Sequence, residues 1–219
     1  MLKAIIFDMD GVLVNSTKHV WKSFNILLKD EGVNFSRKYI RKNLGKSLRD
    51  LLKSWREEFG IREYDVLDFS KKSGAIQLNL MKDEKPDKDL LNLLEEAKRS
   101  SIKCVVATSS MKWRANEILQ LLEISDYFDY VVTAEDTKRH KPHPEVFLEA
   151  ARRINIKPED CVVIEDAVDG VEAAHKGGMK AVGLITEYNS VEEIKQADLM
   201  IRNFSEISIA KLKKLFGKT

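Results

Sequence analysis

At 219 residues, with 43% hydrophobic and 33% charged residues, the chain holds enough apolar material for one sizeable core, or for one core and a small accessory domain. Its formal net charge of +2 supplies no global argument for nucleic-acid binding, and no uninterrupted apolar stretch approaches membrane-spanning length. Met1-Leu2-Lys3 opens directly into a strand rather than a signal segment, and Cys104 and Cys161 sit singly inside apolar runs. The expected setting is therefore cytoplasmic, with both thiols buried and reduced.

The first predicted strand, Ala4 to Phe7, runs into Asp8-Met9-Asp10-Gly11-Val12-Leu13. In extended chain, residues i and i+2 point to the same side, so Asp8 and Asp10 are expected to face one ligand, and Gly11 permits a sharp turn after them. Two carboxylates this close repel, which points to a bound cation, a shared proton, or an attacking and proton-transferring pair. Taken alone, the segment reads more simply as a strand followed by an acidic turn.

From about Asn15 to Lys85 no convincing strand occurs, and the pattern is that of successive amphipathic helices forming a separate helical domain. Val20, Phe24, Leu27 and Leu28 make one apolar stripe. Ser47 with Asp50 opens a second helix, which runs through Leu51, Leu52 and Trp55 to a stop at Gly60. Tyr64 to Met81 makes a third, with Gly74 in its middle. The core resumes at Pro86, so it comprises residues 1–14 and 86–219 and is joined to the insert by two linkers that permit opening and closing.

Further β-branched apolar runs follow at Cys104 to Ala107, Tyr130 to Thr133, Cys161 to Ile164, Ala181 to Leu184 and Leu199 to Ile201. Helical patterns lie among them at Ala115 to Leu122, Glu145 to Ile154 and Val168 to Lys176, the last stopped by Gly177-Gly178. This alternation predicts an α/β protein with a Rossmann-like, doubly wound parallel sheet.

Ligands of open parallel sheets bind beyond the carboxyl ends of the strands, and here polar residues recur at those ends. The first strand ends in Asp8 and Asp10, the second in Thr108-Ser109-Ser110, and CVVI in Glu165-Asp166. Lys141, followed by Pro142, adds a cation in a stiff loop, and Pro144 suits a first helical turn. Separately these read as a helix cap, a capping turn and a solvated lysine. Together, four carboxylates, a hydroxyl cluster and a lysine describe a site for a divalent metal and a phosphoryl group.

In order, DMDGVL, VVATSS, KPHPEVF and VIEDAVDG resemble the four motifs of the haloacid dehalogenase superfamily, across essentially the whole chain. The likeness is greatest to its helical-cap branch of phosphatases and phosphomutases, which includes the β-phosphoglucomutases and phosphoglycolate phosphatases. The resemblance implies that Asp8 is the nucleophile, Asp10 the general acid and base, and Thr108 and Lys141 the phosphoryl anchors. It further implies Mg²⁺ held by Asp8, Asp166 and the backbone carbonyl of Asp10, with Glu165 a ligand or a partner of one. Gly11, Ser109 and Ser110 are expected to line the substrate.

The chain departs from the pattern at two places. Val20 stands where the mutase branch has a histidine, with His19 one residue away, and Pro86-Asp87 replaces the usual Pro-Gly at the exit from the cap. His19, His140 and His143 are expected at the surface. Between Asn15 and Lys85 there are 16 Lys and Arg against 10 Asp and Glu, a balance of +6 that leaves −4 for the remainder. Arg37, Lys38, Arg41, Lys42, Lys46 and Arg49 gather near Gly45, and Arg49 and Lys72 are the cap residues expected to reach an anionic substrate. Each of these cations alone also reads as a solvated face.

The expected function is Mg²⁺-dependent hydrolysis of a small phosphorylated metabolite by a monomer or weak homodimer, with no nucleic-acid or membrane partner. The alternative is a sugar-phosphate mutase. A phospho-accepting receiver module is shorter and lacks the helical insert; a true haloacid dehalogenase needs neither Asp10 nor a metal; an inert interaction protein has no use for the complete acid, hydroxyl and lysine set.

Overall fold

The computed structural model describes residues 1–43 and 48–217, which form two compact units: Met1–Val14 with Glu84–Thr219, and Asn15–Asp83. The change of unit falls at Asp83–Glu84 rather than Lys85–Pro86, within the irregular stretch 82–87 that joins two helices.

The first unit is built on six parallel strands, β1 (Ala4–Phe7), β2 (Lys103–Ala107), β3 (Tyr130–Val132), β4 (Cys161–Glu165), β5 (Lys180–Leu184) and β6 (Leu199–Ile201), in the order β3-β2-β1-β4-β5-β6. Their β-branched runs are buried on both sides, as covered parallel sheets require. Ala4, Ile6, Val105, Ala107, Cys161 and Val163 share one core with Val146, Phe147, Ala150, Val171 and Ala174. The alternate residues Ile5, Phe7, Cys104, Val106, Val162 and Ile164 are equally buried and belong to the opposite face. Burial pushes the Cys104 and Cys161 thiols up to about 12.

Numbered along the chain, the helices are α1 (Ser16–Leu27), α2 (Arg37–Asn43), α3 (Leu48–Phe59), α4 (Val66–Met81), α5 (Lys88–Arg99), α6 (Lys112–Leu121), α7 (Glu145–Arg153), α8 (Val168–Lys176), α9 (Val191–Ile194) and α10 (Ile209–Lys213). Helices α7 and α8 supply the first core, while α5 packs on β2 without contributing to it. No element is expected from the strand pattern where α5 stands; its own signal is the buried row Leu90, Leu93, Leu94 and Ala97. Asp87 caps it by accepting from the amides of Asp89 and Leu90 at 2.8 and 2.9 Å, which explains an aspartate after Pro86. Such a cap contributes about 1 kcal/mol.

The second unit consists of α1 to α4 around an aromatic core of Trp21, Phe24, Phe35, Trp55 and Phe69, with Phe35 and Trp55 rings 4.5 Å apart. Trp55 is fully buried, as its place in the predicted stripe requires. Gly74 does not interrupt α4, where it is buried. Ser47, Lys46 and Gly45 lie outside the described residues, so the predicted start of the second helix is described only from Leu48. The seven-residue α2 is not expected; it is short, and only Asn43 in it is buried. No described helix is long and apolar enough to cross a membrane.

Candidate active site

In this strand order the chain runs outward to opposite edges from β1 and β4, so the crevice beyond their carboxyl ends is where the fold leaves room for a ligand. Asp8 follows β1 directly and its amide donates to the Ile164 carbonyl of β4 at 3.0 Å, which seats it at that switch point. Lys141, from the loop before α7, reaches it there: Nζ donates to Asp8 Oδ1 at 2.5 Å and to Glu165 Oε1 at 2.6 Å. The ammonium also lies 4.8 Å from the centre of the Phe147 ring. The Lys141–Pro142 peptide bond is cis.

Asp8 and Glu165 are buried, and Lys141 side chain is 11% exposed, so these charges act on one another with little screening. Burial pushes the Asp8 carboxyl up to about 7 against the pull of Lys141, with Glu165 and Asp10 adding to the rise. Burial also opposes the charge on Lys141, but Asp8 and Glu165 outweigh it and hold its pKa above the ordinary value. Asp166 is raised well above the usual carboxylate range by burial and then by Glu165 and Asp8. Three acids therefore share one cation, a charge imbalance that a further cation would relieve.

Oxygen atoms of Asp8, Glu165 and Asp166 lie within 4.8 Å of one another. An all-oxygen, largely carboxylate donor set of this size fits a hard divalent cation such as Mg²⁺. Two glycines make room for it. A Cβ on Gly11, whose φ is +91°, would fall 2.1 Å from Asp166 Oδ2, and one on Gly170 would fall 1.9 Å from Glu165 Oε1. Glu165 Oε2 also accepts from the Ala167 amide at 2.7 Å, and Asn189 Nδ2 donates to the Asp166 carbonyl at 2.6 Å.

Asp10 has a different environment. Ser110 Oγ donates to Asp10 Oδ2 at 2.7 Å, and Arg114 Nη1 donates to the same oxygen at 3.0 Å while its Nη2 makes an ion-pair contact with Oδ1 at 2.9 Å. Arg114 thus stands directly against the Asp10 carboxylate, beside the hydroxyl of Ser110. Nor do the hydroxyls after β2 cap α6. Thr108 Oγ1 accepts from the Ser110 amide at 3.0 Å, Met111 is the N-cap without a side-chain bond, and the Lys112 amide is satisfied by Glu135 Oε2 at 2.8 Å.

A family model described as haloacid dehalogenase-like hydrolase matches residues 5–184. The chain belongs to this family. It is 29% identical to a phosphorylated carbohydrates phosphatase of Thermotoga maritima, over 90% of this chain and 91% of that protein. It is 30% identical to a β-phosphoglucomutase of Bacillus subtilis, over 95% of this chain and 92% of that one. The crystal structure of a β-phosphoglucomutase from Clostridium difficile superposes with a TM-score of 0.82 at 26% identity, covering 99% of this chain and 97% of that chain.

In this haloacid dehalogenase-like hydrolase the core unit brings together Asp8, Lys141, Glu165 and Asp166, and separately Asp10 with Ser110. Ser110, expected to line the substrate, is engaged by Asp10 and Arg114, whereas Thr108 is buried and Ser109 exposed. Arg49 is exposed at the start of α3, and Lys72 is an exposed residue of α4 paired with Asp68 at 2.8 Å. His19 corrects an expectation: it is buried, not at the surface, because α1 buries a polar row of Ser16, His19 and Ser23 beside its apolar row. Val20 packs against the aromatic core of the second unit. Arg114 and Asn189 carried no motif signal, since each is a lone polar residue whose partner lies far along the chain.

Proposed function

We propose that this phosphoric monoester hydrolase acts on a small phosphorylated metabolite, a sugar phosphate in particular, through a phosphoryl group carried on Asp8, with Mg²⁺ as cofactor. The observation that carries the proposal is the buried group Asp8–Lys141–Glu165 with Asp166 beside it. A carboxylate attacks a phosphate dianion only when repulsion is cancelled, and Lys141 stands against the attacking carboxylate to do so. Asp8, Asp166, the Asp10 carbonyl and Glu165 would hold the ion, which when bound supplies further neutralisation of charge.

Asp8 forms the new bond to phosphorus as the bond to the sugar oxygen breaks, and Asp10 donates the proton that oxygen needs to leave. Water then attacks the phosphoryl group, Asp10 takes its proton, and Asp8 is released with inorganic phosphate. Thr108, with the amides that follow β2, would anchor the phosphoryl oxygens. The sugar-phosphate class is favoured by the phosphorylated carbohydrates phosphatase among the relatives. Hydrolysis rather than mutase chemistry is favoured because Val20, aligned with the mutase histidine, offers no polar group and packs, partly buried, against an apolar core.

The test is a hydrolysis screen over sugar phosphates and other small phosphomonoesters, with and without Mg²⁺, in wild type and Asp8→Asn. Mg²⁺-dependent release of phosphate, loss of turnover in Asp8→Asn, and trapping of labelled phosphate on wild-type Asp8 are expected. An Asp8→Asn protein that keeps wild-type turnover would refute the proposal. Conversion of β-glucose 1-phosphate to glucose 6-phosphate faster than phosphate release, with a trace of the 1,6-bisphosphate present, would establish the mutase instead.

A further inference from the structure

Asp10 has two jobs in the reaction proposed above, and both depend on where its carboxylate points. It follows β1 by three residues and precedes Gly11, whose φ of +91° marks a sharp turn, so local backbone geometry alone does not hold the side chain. Proton transfer needs the carboxylate within hydrogen-bond reach of the reacting oxygen, and a site loose by ~1 Å loses most of its rate.

Arg114 is built to provide that constraint. Its side chain is only 14% exposed, and the planar guanidinium meets both oxygens of Asp10 while Nη1 also donates to Ser110 Oγ at 2.7 Å. Ser110 Oγ in turn donates to Asp10 Oδ2, which closes a three-membered ring of contacts. The ring is anchored at its other end. Arg114 lies in the first turn of α6, and that helix start is pinned by Glu135 Oε2, which accepts from the Lys112 amide at 2.8 Å and from Thr133 Oγ1 at 2.9 Å. The Ala134 amide donates to the Ser110 carbonyl at 3.0 Å. A continuous path thus runs from the end of β3 through α6 to the Asp10 carboxylate. The fork of an arginine fixes orientation as a lysine cannot.

Resting on the phosphatase reading, we infer that Arg114 is a positioning residue for Asp10, which acts on the leaving oxygen and on water through Asp10 without binding the phosphoryl group itself. The consequence separates by leaving group. A sugar oxygen departs only with a proton, whereas acetate departs from acetyl phosphate without one, so forming the bond from Asp8 to phosphorus needs Asp10 in the first case and not in the second. Hydrolysis of the phosphorylated Asp8 needs Asp10 in both.

The experiment compares wild type, Arg114→Ala and Arg114→Lys on the best sugar phosphate of the screen and on acetyl phosphate. In Arg114→Ala, kcat/KM for the sugar phosphate is expected to fall about 100-fold, while that for acetyl phosphate changes by less than about threefold. Labelled phosphate from acetyl phosphate should accumulate on Asp8 of the variant, and Arg114→Lys should recover only part of the loss. Equal falls with both substrates, or a raised KM for both at constant kcat, would overturn the inference, the latter by making Arg114 a phosphate ligand. A wild type that releases phosphate from no phosphomonoester would instead defeat the reading beneath it. Should Arg114→Ala fail to fold, Ser110→Ala removes one arm of the ring and must show the same split at smaller amplitude.

Discussion

Glu165 occupies the space that a side chain on Gly170 would need: a Cβ there would lie 1.9 Å from Glu165 Oε1, the oxygen that accepts from Lys141. The glycine is the second residue after Val168 in α8, and its missing side chain is what allows the carboxylate and helix to coexist.

Gly170→Ala should therefore be destabilising despite occurring inside a helix, where alanine is normally favoured by about 1 kcal/mol. Overpacking a buried site costs roughly 1–3 kcal/mol, and here it also pushes Glu165 away from Lys141. We expect a fall of several degrees in the thermal unfolding midpoint together with loss of phosphatase activity. A variant that is more stable than wild type and fully active would show that Glu165 yields without consequence.

Removing Lys141 leaves Asp8, Glu165 and Asp166 without the cation they share. Lys141→Ala should lower kcat by roughly 100-fold or more through lost charge stabilisation. Measured in chelator, it should also be destabilised by about 3–5 kcal/mol, the usual cost of stripping one partner from a buried ion pair. Mg²⁺ should restore part of that stability in a denaturant titration. Equal stability of variant and wild type in chelator would argue against the electrostatic account.

For wild type, Mg²⁺ should raise the unfolding midpoint and chelation should abolish turnover, because an ion that binds the folded state stabilises it. Asp166→Ala should shift the Mg²⁺ concentration needed for both effects upward by about tenfold or more. Loss of turnover at unchanged Mg²⁺ dependence would remove Asp166 from the ion's ligands.

Glu149 offers a pH-dependent stability element away from the site. Hydrogen bonds from Arg152 lead, followed by Arg153, and against some burial they draw its carboxyl down to about 2. A depressed pKa contributes stability above the ordinary carboxylate value, and that contribution is lost as pH falls towards about 2. Wild type should thus exceed Glu149→Gln by under about 1 kcal/mol at neutral pH, since these are surface pairs. The difference should close between pH ~4.5 and ~2. A gap that is constant over that range would assign the effect to packing rather than charge.

The strands and most helices were legible locally. Runs such as Ala4 to Phe7 and Cys161 to Ile164 are apolar on both sides, and only a covered parallel sheet buries both, so the α/β class follows from composition and spacing. The polar residues at the strand ends could be picked out by their joint occurrence: each alone reads as a turn or a helix cap, but four carboxylates, a hydroxyl cluster and a lysine at one sheet edge do not. The helix Lys88–Arg99 shows the limit: its buried row of Leu90, Leu93, Leu94 and Ala97 is periodic, yet it was not among the expected helices.

What the chain alone determined was which residues carry charge at the sheet's carboxyl edge; what only the tertiary structure decided was which of them meet. Lys141 reaches Asp8 across 133 positions, and Arg114 reaches Asp10 across 104. Strand order and register, not local pattern, bring them together. Two consequences were invisible in one dimension: a guanidinium stands against Asp10, and His19 is buried. Charge type is written residue by residue, but the field at a site and the burial of a polar side chain are set by neighbours distant in sequence, and those exist only once the sheet has closed and the helices have packed.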